Sequence, residues 1–190
     1  NDVAYTEATA ADVPAVFVME RFGYCKTLDR GTYERNRETV DSENVHVVEC
    51  MSSDRICLFT DGGNMHQVKL SDVPAGKLRD KGVPIDNLSK YDGTKEEILY
   101  LTNAGRLYGQ TLLFATRDAM VKLVSGEEFA TNNRTVASTK LQEGDRLAAV
   151  QPLSGDGDVV LQTDGGRLLR CPAEGTPAMP TAAPRARGTT

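Results

Sequence analysis

The four residues Thr60-Asp61-Gly62-Gly63 decide the fold, because the same four recur at Thr163-Asp164-Gly165-Gly166. In both places an apolar run precedes the tetrapeptide and a mixed run follows it. A tight hairpin needs backbone angles with φ > 0 near its centre, and Asp-Gly or Gly-Gly supplies them without strain. The repeated tetrapeptide therefore predicts two β-hairpins of one design.

Two weaker copies extend the pattern. Residues 112–123 read LLFATRDAMVKL, with Ala119 in the place of the second glycine, and residues 16–27 read VFVMERFGYCKT, with Gly23 there. Alanine tolerates φ > 0 poorly, so the turn at Ala119 is expected to be strained or to have another geometry. The equivalent positions lie 40, 56 and 47 residues apart, a spacing typical of propellers and solenoid arrays, at Glu20, Thr60, Thr116 and Thr163.

Each copy has a further strand-like run downstream, so one unit reads strand, tight turn, strand, loop, strand. Four strands in about 45 residues is the size of one propeller blade, and the prediction is an all-β fold of four-stranded blades. The stretch YLTNAGRLYGQ (residues 100–110) is interpreted as a hairpin-like loop inside the second unit. After an N-terminal segment, 1–14, the predicted units span 15–53, 54–110, 111–157 and 158–190.

Composition limits the function classes. The chain has 190 residues, a net charge of −5 and no apolar run long enough to span a membrane. The negative charge counts against a simple nucleic-acid binder. The first fourteen residues hold three acids and no base, however, so a local basic face is still possible. The four cysteines form no C-x-x-C pair, which argues against zinc and favours a reducing, cytoplasmic location.

Catalytic groups are sparse. His46 and His66 are the only histidines, and each lies in a strand pattern, where packing or surface roles are commoner than general-base catalysis. Asp61 and Asp164 fit turn chemistry. No glycine pair adjoins a G-K-S/T phosphate loop. We therefore predict no catalytic residue, no metal site and no cofactor in this chain.

Several blocks, in this order along the chain, carry a family resemblance. VKLSDVPAGKLRDKGVPIDNL (residues 68–88) contains the pattern R-x-x-G-x-P-I-x-N-L, and residues 112–129 and 134–150 match the next unit. RFGYCKTLDRGTYERN (residues 21–36) is similar to the first unit, and VVLQTDGGRLLRCP (residues 159–172) to a later one. Together they resemble the C-terminal domain of the A subunit of bacterial DNA gyrase and topoisomerase IV.

The resemblance implies a β-pinwheel, a ring or spiral of four-stranded blades that exchange strands, with about four units in this chain. Its outer rim would bend double-stranded DNA without sequence specificity and present it to the strand-passing core. Implied partners are that catalytic core and an ATPase B subunit, in a bacterial, nucleoid-associated cytoplasmic setting. ATP, Mg²⁺ and the DNA-cleaving tyrosine would belong to domains outside this chain.

One departure separates the chain from gyrase. Gyrase carries a basic, glycine-rich box (Q-R-R-G-G-K/R-G) after its first blade, and the matching stretch here is TYERNRETVD (residues 32–41). Only Arg35 and Arg37 keep the charge, and Glu38 opposes it. The resemblance therefore implies a topoisomerase IV-like role rather than gyrase-like wrapping.

Phosphate contacts need Lys, Arg or backbone N–H groups, so loop bases at equivalent places would form a curved basic track. The spacing Lys77-x-Arg79-x-Lys81 places three bases on one side if that loop is extended. Solvated surface charge is the alternative for each residue, and a propeller for protein–protein contact or an enzyme built on a propeller is the alternative for the whole. The predicted DNA-binding residues are Arg35 and Arg37 in the first loop, Lys77, Arg79 and Lys81 in the second, Arg134 and Lys140 in the third, and Arg185 and Arg187 in the last.

Overall fold

A computed structural model describes residues 11–153 and, for the backbone alone, 158–162 and 168–172. Blade 1 is an antiparallel sheet in the order β3-β1-β2-β6. Two short helices separate its second and third strands in sequence. The elements are β1 (Pro14–Met19), β2 (Tyr24–Asp29), α1 (Arg30–Arg35), α2 (Arg37–Glu43), β3 (His46–Met51) and β6 (Val83–Pro84).

Blade 2 has the order β7-β4-β5-β10, blade 3 the order β11-β8-β9, and β12 pairs with β13. Single turns of helix, α3 and α4, flank β7 in sequence, and 3-10 turns follow β5 and β9. The elements are β4 (Arg55–Thr60), β5 (Asn64–Lys69), α3 (Ile85–Leu88), β7 (Ile98–Asn103), α4 (Ala104–Leu107), β8 (Thr111–Thr116), β9 (Val121–Ser125), β10 (Thr135–Ala137), β11 (Leu147–Pro152), β12 (Asp158–Gln162) and β13 (Leu168–Pro172).

Neighbouring units exchange strands. β6 lies in sequence between β5 and β7 of blade 2 yet pairs with β2 of blade 1, and β10 lies between β9 and β11 of blade 3 yet pairs with β5 of blade 2. Strands β3, β7 and β11 form the opposite edges, and β7 packs beside both of the others. The donated strands β6 and β10 are therefore outermost. The predicted all-β fold of four-stranded blades is confirmed.

The hairpin turns explain the repeated tetrapeptide. Gly23 and Gly63 have φ of 87° and 78°, and Ala119 occupies the same place with φ 59°. In each turn the N–H of this residue donates to the carbonyl three residues earlier, at 3.0–3.1 Å. This is a type I turn followed by a left-handed residue, a three-residue hairpin loop. The expected strain at Ala119 is thus present, because alanine adopts the left-handed conformation at a cost. The Thr163–Gly166 turn lies outside the described residues.

Blade 2 is buried on both faces, since successive side chains of a strand point to opposite sides. Ile56 and Leu58 pack in a core shared with blade 1, whereas Cys57 and Phe59 pack in a core shared with blade 3. The Phe59 ring meets Phe129 edge to face, with centroids 4.9 Å apart. Each fully buried large apolar side chain contributes about 1.5–3 kcal/mol.

The first loop differs from the prediction. Residues 32–41, expected to form a loop, are mostly helical: Asp29 caps α1 by accepting the N–H of Thr32 at 2.8 Å. Tyr33 of α1 and Val40 of α2 cover Val16 and Val18, on the blade 1 face opposite blade 2. Helix forms here because two buried apolar residues seven apart fall on one side of the pair.

The interpretation of residues 100–110 as a hairpin-like loop is also wrong. The segment comprises the end of β7, the helical turn α4 and a short link to β8. Leu107 is fully buried in the blade 2–blade 3 core, which favours the helical turn over an exposed hairpin. No helix in the described ranges is long and apolar enough to cross a membrane.

Candidate nucleic-acid interface

The first candidate surface is a loop at the outer rim of blade 1. Between Pro74 and β6, residues 75–82 leave the sheet edge and return to it; we call this segment the basic loop. Lys77, Arg79 and Lys81 are all exposed. The N–H of Asp80 donates to the carbonyl of Lys77 at 3.1 Å, so the loop contains a turn. The expectation of three bases aligned along an extended segment is therefore wrong, although all three remain open to solvent.

Gly82 closes the basic loop. It has φ +79°, and a Cβ at this position would lie 2.2 Å from the carbonyl oxygen of Cys25. The glycine of the R-x-x-G-x-P-I pattern is thus required for the donated strand to reach blade 1, where Ile85 N–H donates to Gly23 at 2.8 Å. Lys81 lies over the ring of Tyr24, with Nζ 4.1 Å from its centroid.

The second candidate surface lies at the rim of blade 2. Arg134 directly precedes β10 and lines a cleft of about 210 Å³. Arg55 and Lys69, register partners at the open end of the β4–β5 hairpin, line the same cleft, with Asp72 as its acidic member. The sequence analysis missed both bases, because strand-terminal residues were not compared with the loop of the following unit.

The other predicted residues are more scattered. Lys140 is exposed and follows β10, whose trailing residue Ser138 donates its N–H to Gly63 at 2.8 Å. Arg35 and Arg37 are exposed on the α1–α2 pair, with Arg37 5.2 Å from the Tyr33 ring. Arg185 and Arg187 lie outside the described residues.

The rim cations are not neutralised by neighbouring carboxylates. Within the part of the chain that the structure describes, the Lys and Arg ion pairs are Arg30–Glu34, Lys95–Asp92 and Arg146–Asp61. None of the seven predicted DNA-binding residues in that part belongs to one of these pairs. Unpaired surface cations are suited to phosphate contacts, which are electrostatic and independent of sequence.

Asp61 of the opening tetrapeptide has a role beyond its turn. Its carboxylate is 2.9 Å from Arg146 Nε and accepts the N–H of Glu97 at 2.9 Å, while its own carbonyl accepts the N–H of Leu147. Burial acts to raise its pKa, but the hydrogen bonds from Arg146 and Glu97 outweigh burial and hold the pKa below the usual value. The turn of blade 2 is thereby fixed to the first residues of β11 in blade 3.

His66 has a structural setting. Its Nε2 lies 2.8 Å from a Glu96 oxygen, and its Nδ1 lies 2.8 Å from Thr135 Oγ1 on the donated strand β10. Glu96 also accepts from Asn64 and Thr60, at 2.6 and 3.0 Å. Every polar atom of this buried ring is thus used to hold the donated strand and the loop before β7.

Comparison with known proteins supports the same family twice over. A model of the DNA gyrase C-terminal domain, beta-propeller, matches residues 54–93 and 110–154. The chain is 30% identical to the DNA gyrase A subunit of Lawsonia intracellularis over 174 residues, or 86% of this chain and 21% of that protein. It is 30% identical to the corresponding gyrase protein of Chlamydia muridarum over 75% of this chain and 17% of that protein. The chain thus spans about a fifth of these relatives.

Solved structures give the same fold. The C-terminal domain of DNA topoisomerase IV superposes with a TM-score of 0.81 at 20% identity, covering 94% of this chain and 57% of that one. The E. coli ParC C-terminal domain gives 0.73 at 14% identity, covering 92% and 71%. With the exchanged outer strands and the ordered sequence blocks, these matches establish that the chain belongs to the family of β-pinwheel C-terminal domains of the A subunits of bacterial DNA gyrase and topoisomerase IV.

Proposed function

We propose that this domain binds double-stranded DNA along its outer rim, without sequence specificity, and bends it toward the strand-passing core of a type II topoisomerase. The observation that carries the proposal is the set of exposed, unpaired cations on the segments that bring β6 and β10 to the outermost edge. The overall charge of −5 does not oppose this, because DNA responds to the local field of a basic face.

The binding test uses the 190-residue chain and linear duplexes of unrelated sequence. Affinity should be similar for all duplexes and should fall linearly with log salt, because each phosphate contact releases counterions. Binding that is absent at low salt would contradict the proposal and would favour a propeller used for protein–protein contact.

The role we propose is topoisomerase IV-like. At the position of the gyrase box, Arg35 and Arg37 stand on short helices beside Glu34, Glu38 and Asp41, and no glycine interrupts residues 32–41. Such a surface offers phosphates little net positive charge. Ligation of plasmid on the bound domain should therefore change linking number only slightly. A large positive wrap would contradict this assignment and favour gyrase.

The remaining proposals concern the parent protein. The catalytic core, an ATPase B subunit, ATP and Mg²⁺ would act outside this chain, in the cytoplasm of a bacterium with its nucleoid. This chain by itself would not pass strands. Relaxation of a supercoiled plasmid by the purified chain would overturn that expectation.

A further inference from the structure

Lys26 of β2 lies beneath the basic loop and is 9% exposed. Its Nζ donates to the backbone carbonyls of Leu78 at 2.8 Å and Asp80 at 2.6 Å. It belongs to no ion pair within the described ranges, so backbone oxygens of the loop satisfy its charge. Burial lowers the pKa of this ammonium, against the attraction of Asp80 and Glu43.

The ends of the basic loop are held by other bonds. Thr27 N–H donates to Pro74 at 2.9 Å, and Gly76 N–H donates to Thr27 at 2.9 Å, where the loop leaves the sheet. Pairing of Val83 with Cys25 fixes the place where it returns. Leu78 packs partly buried against the core beside α1 and α2. Lys26 is thus the side chain that holds the middle of the loop by its backbone.

Blade 2 uses the same type of contact. Gln67 Nε2 donates to the carbonyls of Thr131 at 3.0 Å and Asn133 at 2.7 Å, and Arg55 also donates to Thr131 at 3.0 Å. These carbonyls directly precede Arg134. In both blades, side chains of the receiving hairpin grip the backbone that carries the rim cations.

We propose that Lys26 is a positioning residue for DNA binding: it holds the basic loop in the shape in which Lys77, Arg79 and Lys81 meet phosphates, and does not touch DNA itself. This inference rests on the proposed function. Its burial keeps Lys26 away from a duplex, and its two bonds act on the backbone between the three exposed cations. A preorganised loop binds more tightly, because its ordering is complete before the ligand arrives.

The test compares the wild-type chain with Lys26→Met by affinity for a linear duplex across a salt series, and by hydrogen exchange of amides 76–82. We expect binding about tenfold weaker, since the loop must order on the DNA. The slope of log affinity against log salt should stay unchanged, since all three cations remain. The loop amides should exchange faster.

Lys122→Met is the matched control. Lys122 stands at the same hairpin place in blade 3, opposite Phe114, and is 2% exposed. Its Nζ has no hydrogen-bond partner in the part that the structure describes. Its replacement should change neither loop exchange nor affinity. Lys26→Gln keeps a donor, should give an intermediate result, and carries the test if Lys26→Met does not fold.

Two outcomes would overturn the inference. A reduced salt slope in Lys26→Met would mean that Lys26 itself contacts phosphate. Faster loop exchange with unchanged affinity would mean that the loop shape does not matter for DNA. If the wild-type chain bound no DNA, the proposed function would fail, while the exchange measurement would still report whether Lys26 holds the loop.

Discussion

At the residue scale, the left-handed turn position shows how much of the structure a local pattern can reveal. Gly23, Gly63 and Ala119 were aligned by sequence alone, and all three have φ > 0. The pattern identified the turn because only a few residue types accept that conformation. It did not reveal the second duty of Asp61, since its partner Arg146 lies 85 residues away.

Ala119→Gly should raise the free energy of unfolding by up to about 1 kcal/mol, because relief of left-handed strain exceeds the added freedom of the unfolded chain. Chemical denaturation measures this directly. The matched change Gly63→Ala should destabilise by more than 1 kcal/mol, roughly, since it adds the same strain and places a Cβ 3.0 Å from the Thr139 carbonyl. A less stable Ala119→Gly variant would contradict the strained turn.

Asp61→Ala should cost about 2 kcal/mol, because it removes charge-assisted hydrogen bonds to a buried carboxylate. Asp61→Asn should cost less, since an amide oxygen can still accept from Glu97. The folded-state pKa of Asp61 is lowered, so its contribution is present above the unfolded value of about 3.9 and is lost as pH falls through the folded value. Equal acid sensitivity in wild type and Asp61→Asn would argue against this assignment.

At the element scale, strand exchange is where sequence reasoning reached its limit. The hairpins and the third strand of each unit were predictable from apolar runs and turn residues. The two-residue strand β6 has no such signal, and its place depends on blade 1 offering a free edge. Likewise α1 and α2 replace a loop because they cover an apolar face of blade 1, a tertiary requirement that overrides weak local propensity.

Gly82→Ala should detach the donated strand, because the new Cβ would overlap the Cys25 carbonyl. We expect a loss of several kcal/mol and rapid hydrogen exchange at Ile85, whose N–H bonds Gly23. Gly144→Ala is the matched control: it has φ +79° too, but nothing lies within 4 Å of the added Cβ. Equal effects of the two changes would show that backbone strain, and not the close approach, accounts for the loss.

At the scale of the whole molecule, blades 1 to 3 follow one another with their donated strands on one rim, and the rim carries cations that make no ion pair in the described ranges. The family was recognisable from ordered sequence blocks, and so was the choice of Lys77, Arg79 and Arg134. Arg55, Lys69 and Lys26 were not, because each acts on a loop of the next unit, more than 50 residues away.

The most direct test of the account is the salt dependence of DNA binding by a variant in which Lys77, Arg79 and Lys81 are all replaced by Gln. A control replaces Arg21, Arg30 and Lys95, which changes the net charge equally away from the basic loop. If the loop binds phosphates, the first variant should bind all duplexes more weakly and its salt slope should fall by up to about 2.7, while the control keeps the wild-type slope. An unchanged slope in the Lys77/Arg79/Lys81 variant would contradict the account.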